Sequence, residues 1–189
     1  MTEQLFPVGF PLGLVFEPDG DIGTASGGVR VADSFQDLSA REYRVWLLSF
    51  ARDGRSALVD ACRAEGIDDA PTIIEALLCA GLLVGIDSDD GVHLRAALEG
   101  LRLVTIGVGL GNSPDRPGYW AIGGTDMQPR AWLNFDGYCV WALSYRYTIW
   151  GACEKVVEDV DRSPSAVGRE VVESLPALLG TASAYLDRA

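Results

Sequence analysis

The residue types that most often carry chemistry are few in this chain, and none of them falls in a spacing that defines a site. His93 is the only histidine, so a serine or cysteine nucleophile has a single imidazole available as its base. It lies in the string VHLR, where alternation with apolar neighbours predicts a short strand with the histidine at the surface or at an edge. Four cysteines lack the CxxC spacing of zinc or redox motifs and fall on apolar helical faces, where a free cysteine acts as a small hydrophobe. We therefore predict no catalytic residue.

Two short motifs resemble ligand-binding loops, but each lacks a required part. GVGLGN at 107–112 follows an apolar strand, as a phosphate-binding loop would, yet NSPDRPG follows where the motif needs a helix N-terminus. The acidic run DSDDG at 87–91 resembles half of a calcium loop, but its glycine comes one position early and Leu98 stands where a glutamate must close the loop. We predict a loop and a solvated turn, with no metal and no cofactor.

Composition and net charge exclude several classes of protein. The 189 residues are 48% hydrophobic and 22% charged, which is typical of a globular chain forming one compact unit or two small domains. The formal net charge of −12 disfavours nucleic-acid binding, because contacts with phosphates supply most of the non-specific affinity.

Glu3 stands where a signal peptide carries positive charge, and no run approaches ~18 apolar residues, so we predict no targeting segment and no membrane span. The cysteines are then reduced thiols of a cytoplasmic protein. Fourteen arginines beside one lysine indicate a GC-rich, bacterial coding sequence.

An internal repeat is the most informative feature. LSAREYRVWLLSF at 38–50 aligns with LNFDGYCVWALSY at 133–145, and both contain Tyr-x-Val-Trp-x-Leu-Ser. Farther on, EALLCAGLLVG at 75–85 resembles SLPALLGTASAYL at 174–186. Two units of about 90 residues point to a duplicated domain, with a chance similarity of two apolar helices as the alternative.

Both repeats have strand signals before helix signals. In the first repeat GLVFEP and VRVAD are candidate strands, and candidate helices begin after Ser39, after Ser56 and near the acidic DDAP at 68–71. In the second repeat the candidate strands are RLVTIGVGL, YWAIG and RAWLNF, and the candidate helices are 136–147, 148–160 and 164–184. The Asp90-Gly91 pair predicts a wing hairpin over 82–95.

We therefore predict an α+β fold of two tandem winged-helix-like domains, each with short antiparallel strands followed by three helices. The first domain covers 1–98 and includes the wing hairpin 82–95. The second domain covers 99–189 and ends in a long helix.

This order of elements resembles the PqqD-like family of small winged-helix domains, also called RiPP recognition elements. The residues that carry the resemblance are VRVADSFQDLSAREYRVW with EALLCAGLL in the first repeat and PRAWLNFDGYCVWALS with ESLPALLG in the second. The resemblance implies that a peptide adds as a strand beside a groove lined by the third helix. The doubling of the domain, without a catalytic domain between the copies, departs from the family pattern.

The resemblance thus implies a non-catalytic protein that binds a peptide or another protein, as an accessory or recognition component of a biosynthetic or modification pathway. It places one groove in each repeat. The predicted groove residues are Val29, Val31, Ile73 and Leu77 in the first repeat and Arg130, Trp132, Val167 and Val171 in the second. The aromatic cluster over 120–150 either fills the core or forms an interface. The C-terminal helix either caps the fold or pairs with a second copy of the chain in a homodimer.

Two other functions stay open. Winged-helix folds also bind DNA, and Arg41, Arg44 and Arg52 around the first helix would then contact phosphates. Against this function, the third helix of the first repeat has no basic residue, and Arg169 in the second is flanked by glutamates. A small modification enzyme or its subunit is the remaining alternative, although the sequence shows no reactive residue for it.

Overall fold

The computed structural model describes residues 3–16, 25–51 and 54–189. In these ranges ten strands and seven α-helices form an α+β fold, which confirms the predicted class. The winged-helix assignment stays a prediction.

The first half of the chain, residues 4–86, has four strands, three helices and a fifth strand. These elements are β1 (Gln4–Pro7), β2 (Phe10–Val15), β3 (Ser26–Val31), β4 (Ser34–Ser39), α1 (Ala40–Leu48), α2 (Gly54–Ala64), α3 (Ala70–Cys79) and β5 (Leu83–Ile86). A short 3-10 helix, Ser49–Ala51, follows α1 directly.

The second half, residues 101–188, has the same order of elements. Helix α4 (Gly91–Glu99) leads into it. Its elements are β6 (Leu101–Thr105), β7 (Val108–Ser113), β8 (Arg116–Gly123), β9 (Pro129–Leu133), α5 (Phe135–Leu143), α6 (Ile149–Val156), α7 (Pro164–Gly180) and β10 (Ala184–Arg188).

Strand pairing is also the same in both halves. The first strand of each half pairs antiparallel with its last strand, β1 with β5 and β6 with β10. The three middle strands form antiparallel sheets in the orders β2-β3-β4 and β7-β8-β9. The two halves meet where Val8 forms a parallel bridge with Leu186, and where the Gly9 N–H donates to the Leu186 carbonyl at 2.7 Å.

The repeated Tyr-x-Val-Trp string forms the same helix in both halves. Ser39 begins α1 with a capping box, in which its hydroxyl and the Glu42 carboxylate each accept a backbone N–H of the other residue. Asn134 begins α5 by accepting the Gly137 N–H at 2.8 Å. Each helix then buries its tryptophan and stacks it on the tyrosine three residues earlier, with ring centroids 5.8 Å apart in α1 and 5.6 Å apart in α5.

Two predictions about the connecting regions are wrong. The wing hairpin predicted over 82–95 is a single strand, β5, followed by helix α4, so His93 lies in a helix. The Asp90 carboxylate accepts the N–H groups of Val92 and His93 and caps that helix. An acidic residue before glycine is compatible with either a turn or the start of a helix. Here the helix is favoured because it places Leu94 and Leu98 on one face, where both are buried.

The second half does not end in its long helix, because α7 stops at Gly180 and strand β10 follows. This strand pairs with β6 at the beginning of the second half, with Leu186 opposite Leu103. Both leucines are fully buried, so the C-terminal strand is part of the core.

Candidate functional site

The groove residues predicted in the first half lie mostly in its core. Val29, Ile73 and Leu77 are buried and belong to one hydrophobic cluster, and Val31 is half-buried against it. A partner would reach them only by displacing core side chains. In this structure the four residues therefore form no open groove.

The residues predicted in the second half separate into two sets. Val167 and Val171 of α7 are buried in the core of the second half, together with Ala131 of β9. Arg130 and Trp132 flank Ala131 on the same strand, so alternation turns them to the other face, where Arg130 is exposed and Trp132 half-exposed. The structure thus brings Arg130 and Trp132 together and separates them from the two valines.

A cavity of about 540 Å³ lies between the two halves, and we call it the junction cavity. Phe10 and Phe50 of the first half line one side, and Leu179 and Tyr185 of the second half line another. Among the described residues around it, Arg130 is the one charged side chain. Its volume lies within the range typical of small-ligand sites, which are mostly apolar with a few polar groups that orient the ligand.

Arg130 has both an acidic and a glycine neighbour. Its guanidinium lies 3.4 Å from the Asp126 carboxylate. The pKa of Asp126 is lowered by the hydrogen bond that its carboxylate accepts from the Gln128 N–H and by the charge of Arg130. A side chain at Gly124 would overlap the guanidinium, so glycine at this position allows Arg130 to lie here.

A smaller cavity of about 170 Å³, which we call the side cavity, shares Ile106, Arg130 and Ala182 with the junction cavity. Much of its remaining lining is the glycine-rich stretch 123–125. In the part of the chain that the structure describes, the backbone N–H groups of Gly124 and Thr125 have no acceptor. Among these three shared residues, Arg130 is the charged one, so its side chain borders both cavities.

Two strands lie at sheet edges next to the helices that follow them. Within the described ranges, β4 pairs with β3 alone and β9 with β8 alone. An edge strand offers unpaired backbone groups to which an extended peptide can add as a further strand. Arg130 lies on one of these edge strands and also borders the junction cavity.

Trp132 contributes to a separate surface site. The Arg116 guanidinium lies 5.0 Å from the centre of its ring, within the range of a cation–π contact. Together with Tyr119 and the β7–β8 turn they border a cavity of about 360 Å³.

The cysteines offer little nucleophilic chemistry. Burial raises the pKa of Cys153 to about 12, and it also raises the pKa values of Cys62 and Cys139. Cys79 is exposed on α3. Because the thiolate is the reactive form, a raised pKa lowers reactivity at neutral pH. In 3–16, 25–51 and 54–189, no group of three or more histidine, cysteine, aspartate or glutamate residues is placed to hold a metal ion.

The arginines considered for DNA contacts are paired with acids. Arg41 lies 2.7 Å from Asp69, and Arg44 makes two hydrogen bonds with Glu65 at 2.6 and 2.7 Å. Arg52 lies outside the described residues. Phosphate binding by Arg41 or Arg44 would have to break these ion pairs.

The walls of the junction cavity were missed by the sequence reasoning, whereas Arg130 was named. Phe10 and Tyr185 are 175 positions apart, and no local spacing signals that they share a cavity. The helices among the described residues are all too short or too polar to cross a membrane. No family model matches the chain, and neither the curated proteins nor the solved structures contain a match.

Proposed function

We propose that this protein binds a peptide or another protein in the bacterial cytoplasm, as a recognition or accessory component of a biosynthetic or modification pathway. The observation that carries the proposal is the junction cavity, an apolar chamber with Arg130 of edge strand β9 at its border.

The edge strand and the cavity supply complementary parts of peptide recognition. Strand addition beside β9 gives main-chain hydrogen bonds that do not depend on sequence. The cavity selects an apolar side chain, because burying such a group releases about 25 cal/mol for each Å² removed from water. Arg130 lies where both parts meet and orients the peptide.

The exposed face of β9 adds a second contact. Trp132 and Arg116 stack on one another beside the cavity near the β7–β8 turn. Tryptophan and arginine are enriched at the centres of protein interfaces, where few of the residues supply most of the binding energy. The proposed partner therefore covers Arg130 and Trp132 together.

The test is capture of partners by the full-length chain from its native host, with mass spectrometry and a parallel assay for nucleic acid. The wild type is compared with the double variant Arg130→Glu/Trp132→Ala and with Arg63→Glu. Arg63 is a matched control, because it is an exposed arginine of α2 that pairs with a nearby aspartate, Asp60, at 3.0 Å.

We expect a stoichiometric peptide or protein that the double variant loses and the control keeps. A partner that binds all three proteins equally, with their folds intact by circular dichroism, would contradict the proposed surface. Recovery of specific DNA would instead favour a transcriptional regulator, and that DNA binding should be strongest at low salt.

A further inference from the structure

We infer that the junction cavity and the side cavity recognise the C-terminal residue of a peptide. The apolar side chain of that residue occupies the junction cavity, and its carboxylate binds Arg130. This inference rests on the proposed function and specifies which part of the partner is recognised.

The charge pattern of the junction cavity points to this ligand. Its described lining is apolar apart from Arg130 and the Tyr185 hydroxyl. The Arg130 guanidinium also lies 3.4 Å from the exposed Asp126 carboxylate, so a ligand carboxylate has to share the guanidinium with Asp126 or displace it. A guanidinium presents parallel N–H donors that match the two oxygens of a carboxylate. An apolar C-terminal residue carries its carboxylate one bond from the carbon that bears the side chain, so one residue satisfies both features.

The side cavity supplies further donors for the carboxylate. The N–H groups of Gly124 and Thr125 have no acceptor among the described residues, and both residues line this cavity next to Arg130. Clustered backbone N–H groups of this kind are a recurrent way to bind a peptide carboxyl terminus. Gly124 also leaves the space that the guanidinium needs.

The aromatic walls are held in place before a ligand binds. The Arg30 guanidinium lies 5.7 Å from the ring centres of both Phe10 and Tyr185, and it donates a hydrogen bond to the Tyr185 hydroxyl. Phe10 and Tyr185 also contact one another edge to face, with centroids 5.1 Å apart. Binding then has to order few side chains, which lowers its entropic cost.

Isothermal titration calorimetry on the full-length protein tests the inference with three N-acetylated peptides, Ala-Ala-Gly-Phe, Ala-Ala-Gly-Leu and Ala-Ala-Gly-Val. Each is used as the free acid and as the C-terminal amide, and decanoate serves as a small carboxylate without a peptide. We expect at least one acid to bind, with its amide at least tenfold weaker. Arg130→Gln should weaken the acid to the level of the amide, and Arg63→Gln should leave its affinity unchanged.

A second variant tests the place of binding. Leu47 is a half-buried residue of the cavity wall, so Leu47→Trp narrows the cavity from the first half. Provided that its thermal unfolding midpoint stays near that of the wild type, we expect it to weaken the acid at least tenfold. Unchanged affinity would overturn the assignment of the ligand to this cavity.

The remaining outcomes separate this inference from the proposed function. Equal binding of acid and amide, reduced by Leu47→Trp, would overturn recognition of the carboxyl terminus and leave peptide binding in the cavity supported. Binding of decanoate without any peptide would overturn both in favour of a small amphipathic carboxylate. Failure of every probe to bind would overturn the inference, while the partner capture described above decides the proposed function independently.

Discussion

Trp46 and Trp141 occupy equivalent positions in the two halves, but only the indole of Trp46 has a hydrogen-bond partner among the described residues. Trp46 Nε1 donates to the Leu82 carbonyl at 2.9 Å. Trp141 is 7% exposed, and its Nε1 meets no acceptor in the described part of the chain.

The two indoles differ because the backbone carbonyl that Trp46 uses, that of Leu82, has a counterpart in the second half with different partners. In the second half this group is the Ser183 carbonyl, and it accepts the N–H groups of Ile106 and Gly107 at 3.1 and 3.0 Å. In the first half the equivalent of Gly107 is Gly9, whose N–H donates to Leu186 of the other half instead. The Leu82 carbonyl therefore accepts a single backbone N–H, that of Val8 at 2.9 Å, and its second acceptor position is available to Trp46.

The two tryptophans should respond differently to the same substitution. We expect Trp46→Phe to lower the free energy of unfolding by about 1 kcal/mol more than Trp141→Phe, because only the first variant loses a hydrogen bond. Urea unfolding followed by circular dichroism measures both values. Equal losses in the two variants would contradict this account of the indole at position 46.

Gly27 should not tolerate a side chain. A Cβ at this position would overlap the Tyr43 ring, so we expect Gly27→Ala to destabilise the protein by roughly 1–3 kcal/mol. Gly118 is the matched control, because a Cβ there has nothing within 4 Å. Gly118→Ala should change the free energy of unfolding by less than about 0.5 kcal/mol. Similar effects of the two alanines in chemical denaturation would show that the Tyr43 contact does not limit position 27.

Asp187 should stabilise the contact between the halves. Its side chain is largely buried, accepts the Ala32 N–H at 2.7 Å and lies 3.7 Å from the Arg30 guanidinium. We expect Asp187→Ala to cost roughly 1–3 kcal/mol, because it leaves that N–H without its acceptor. Hydrogen exchange at Ala32 should become faster. Asp60→Ala, at an exposed ion pair, serves as the control, and unchanged exchange at Ala32 in the Asp187 variant would speak against the role of this carboxylate.

Cys153 should make stability depend on alkaline pH. Burial raises its pKa from 9.0 to about 12, so the native thiol keeps a proton that the unfolded chain loses. Its contribution to stability is complete below pH 9 and decreases by about 1.4 kcal/mol for each pH unit between 9 and 12.

Urea unfolding at several pH values between 8 and 11 tests this dependence against Cys153→Ala. Other groups titrate in the same range, but they do so in both proteins, and the difference between the two slopes isolates the thiol. We expect the wild type to lose stability more steeply than Cys153→Ala. Parallel curves for wild type and Cys153→Ala would contradict the raised pKa.

Local signals in the sequence were sufficient for most helices. The predicted helices at 136–147, 148–160 and 164–184 correspond to Phe135–Leu143, Ile149–Val156 and Pro164–Gly180. Their starts lie at Asn134, Thr148 and Ser163, whose side chains accept the first backbone N–H groups. Such caps and apolar spacings act within a few residues and can therefore be recognised along the chain.

The candidate site was only partly predictable, because it depends on contacts between residues that are far apart in the sequence. The sequence predicts Arg130 and Trp132 as site residues but groups them with Val167 and Val171. In the structure these two valines of α7 cluster with Ala131, whose side chain lies on the opposite face of β9. The apolar walls around Arg130 come from β2, the 3-10 helix, the end of α7 and β10, which are distant in the sequence. Which of these elements meet depends on strand pairing across most of the chain.

The sequence by itself determined the α+β class, most of the helices and the repeated Tyr-x-Val-Trp segment, because helix caps, apolar periodicity and stacked aromatic pairs are set by near neighbours. Only the tertiary structure decided that β1 pairs with β5, that β6 pairs with β10, and that residues 91–99 form a helix instead of a hairpin. These choices depend on contacts between residues far apart in the sequence: Leu94, Leu103 and Leu186 lie in one hydrophobic cluster that also contains Phe6 of β1 and Ile86 of β5.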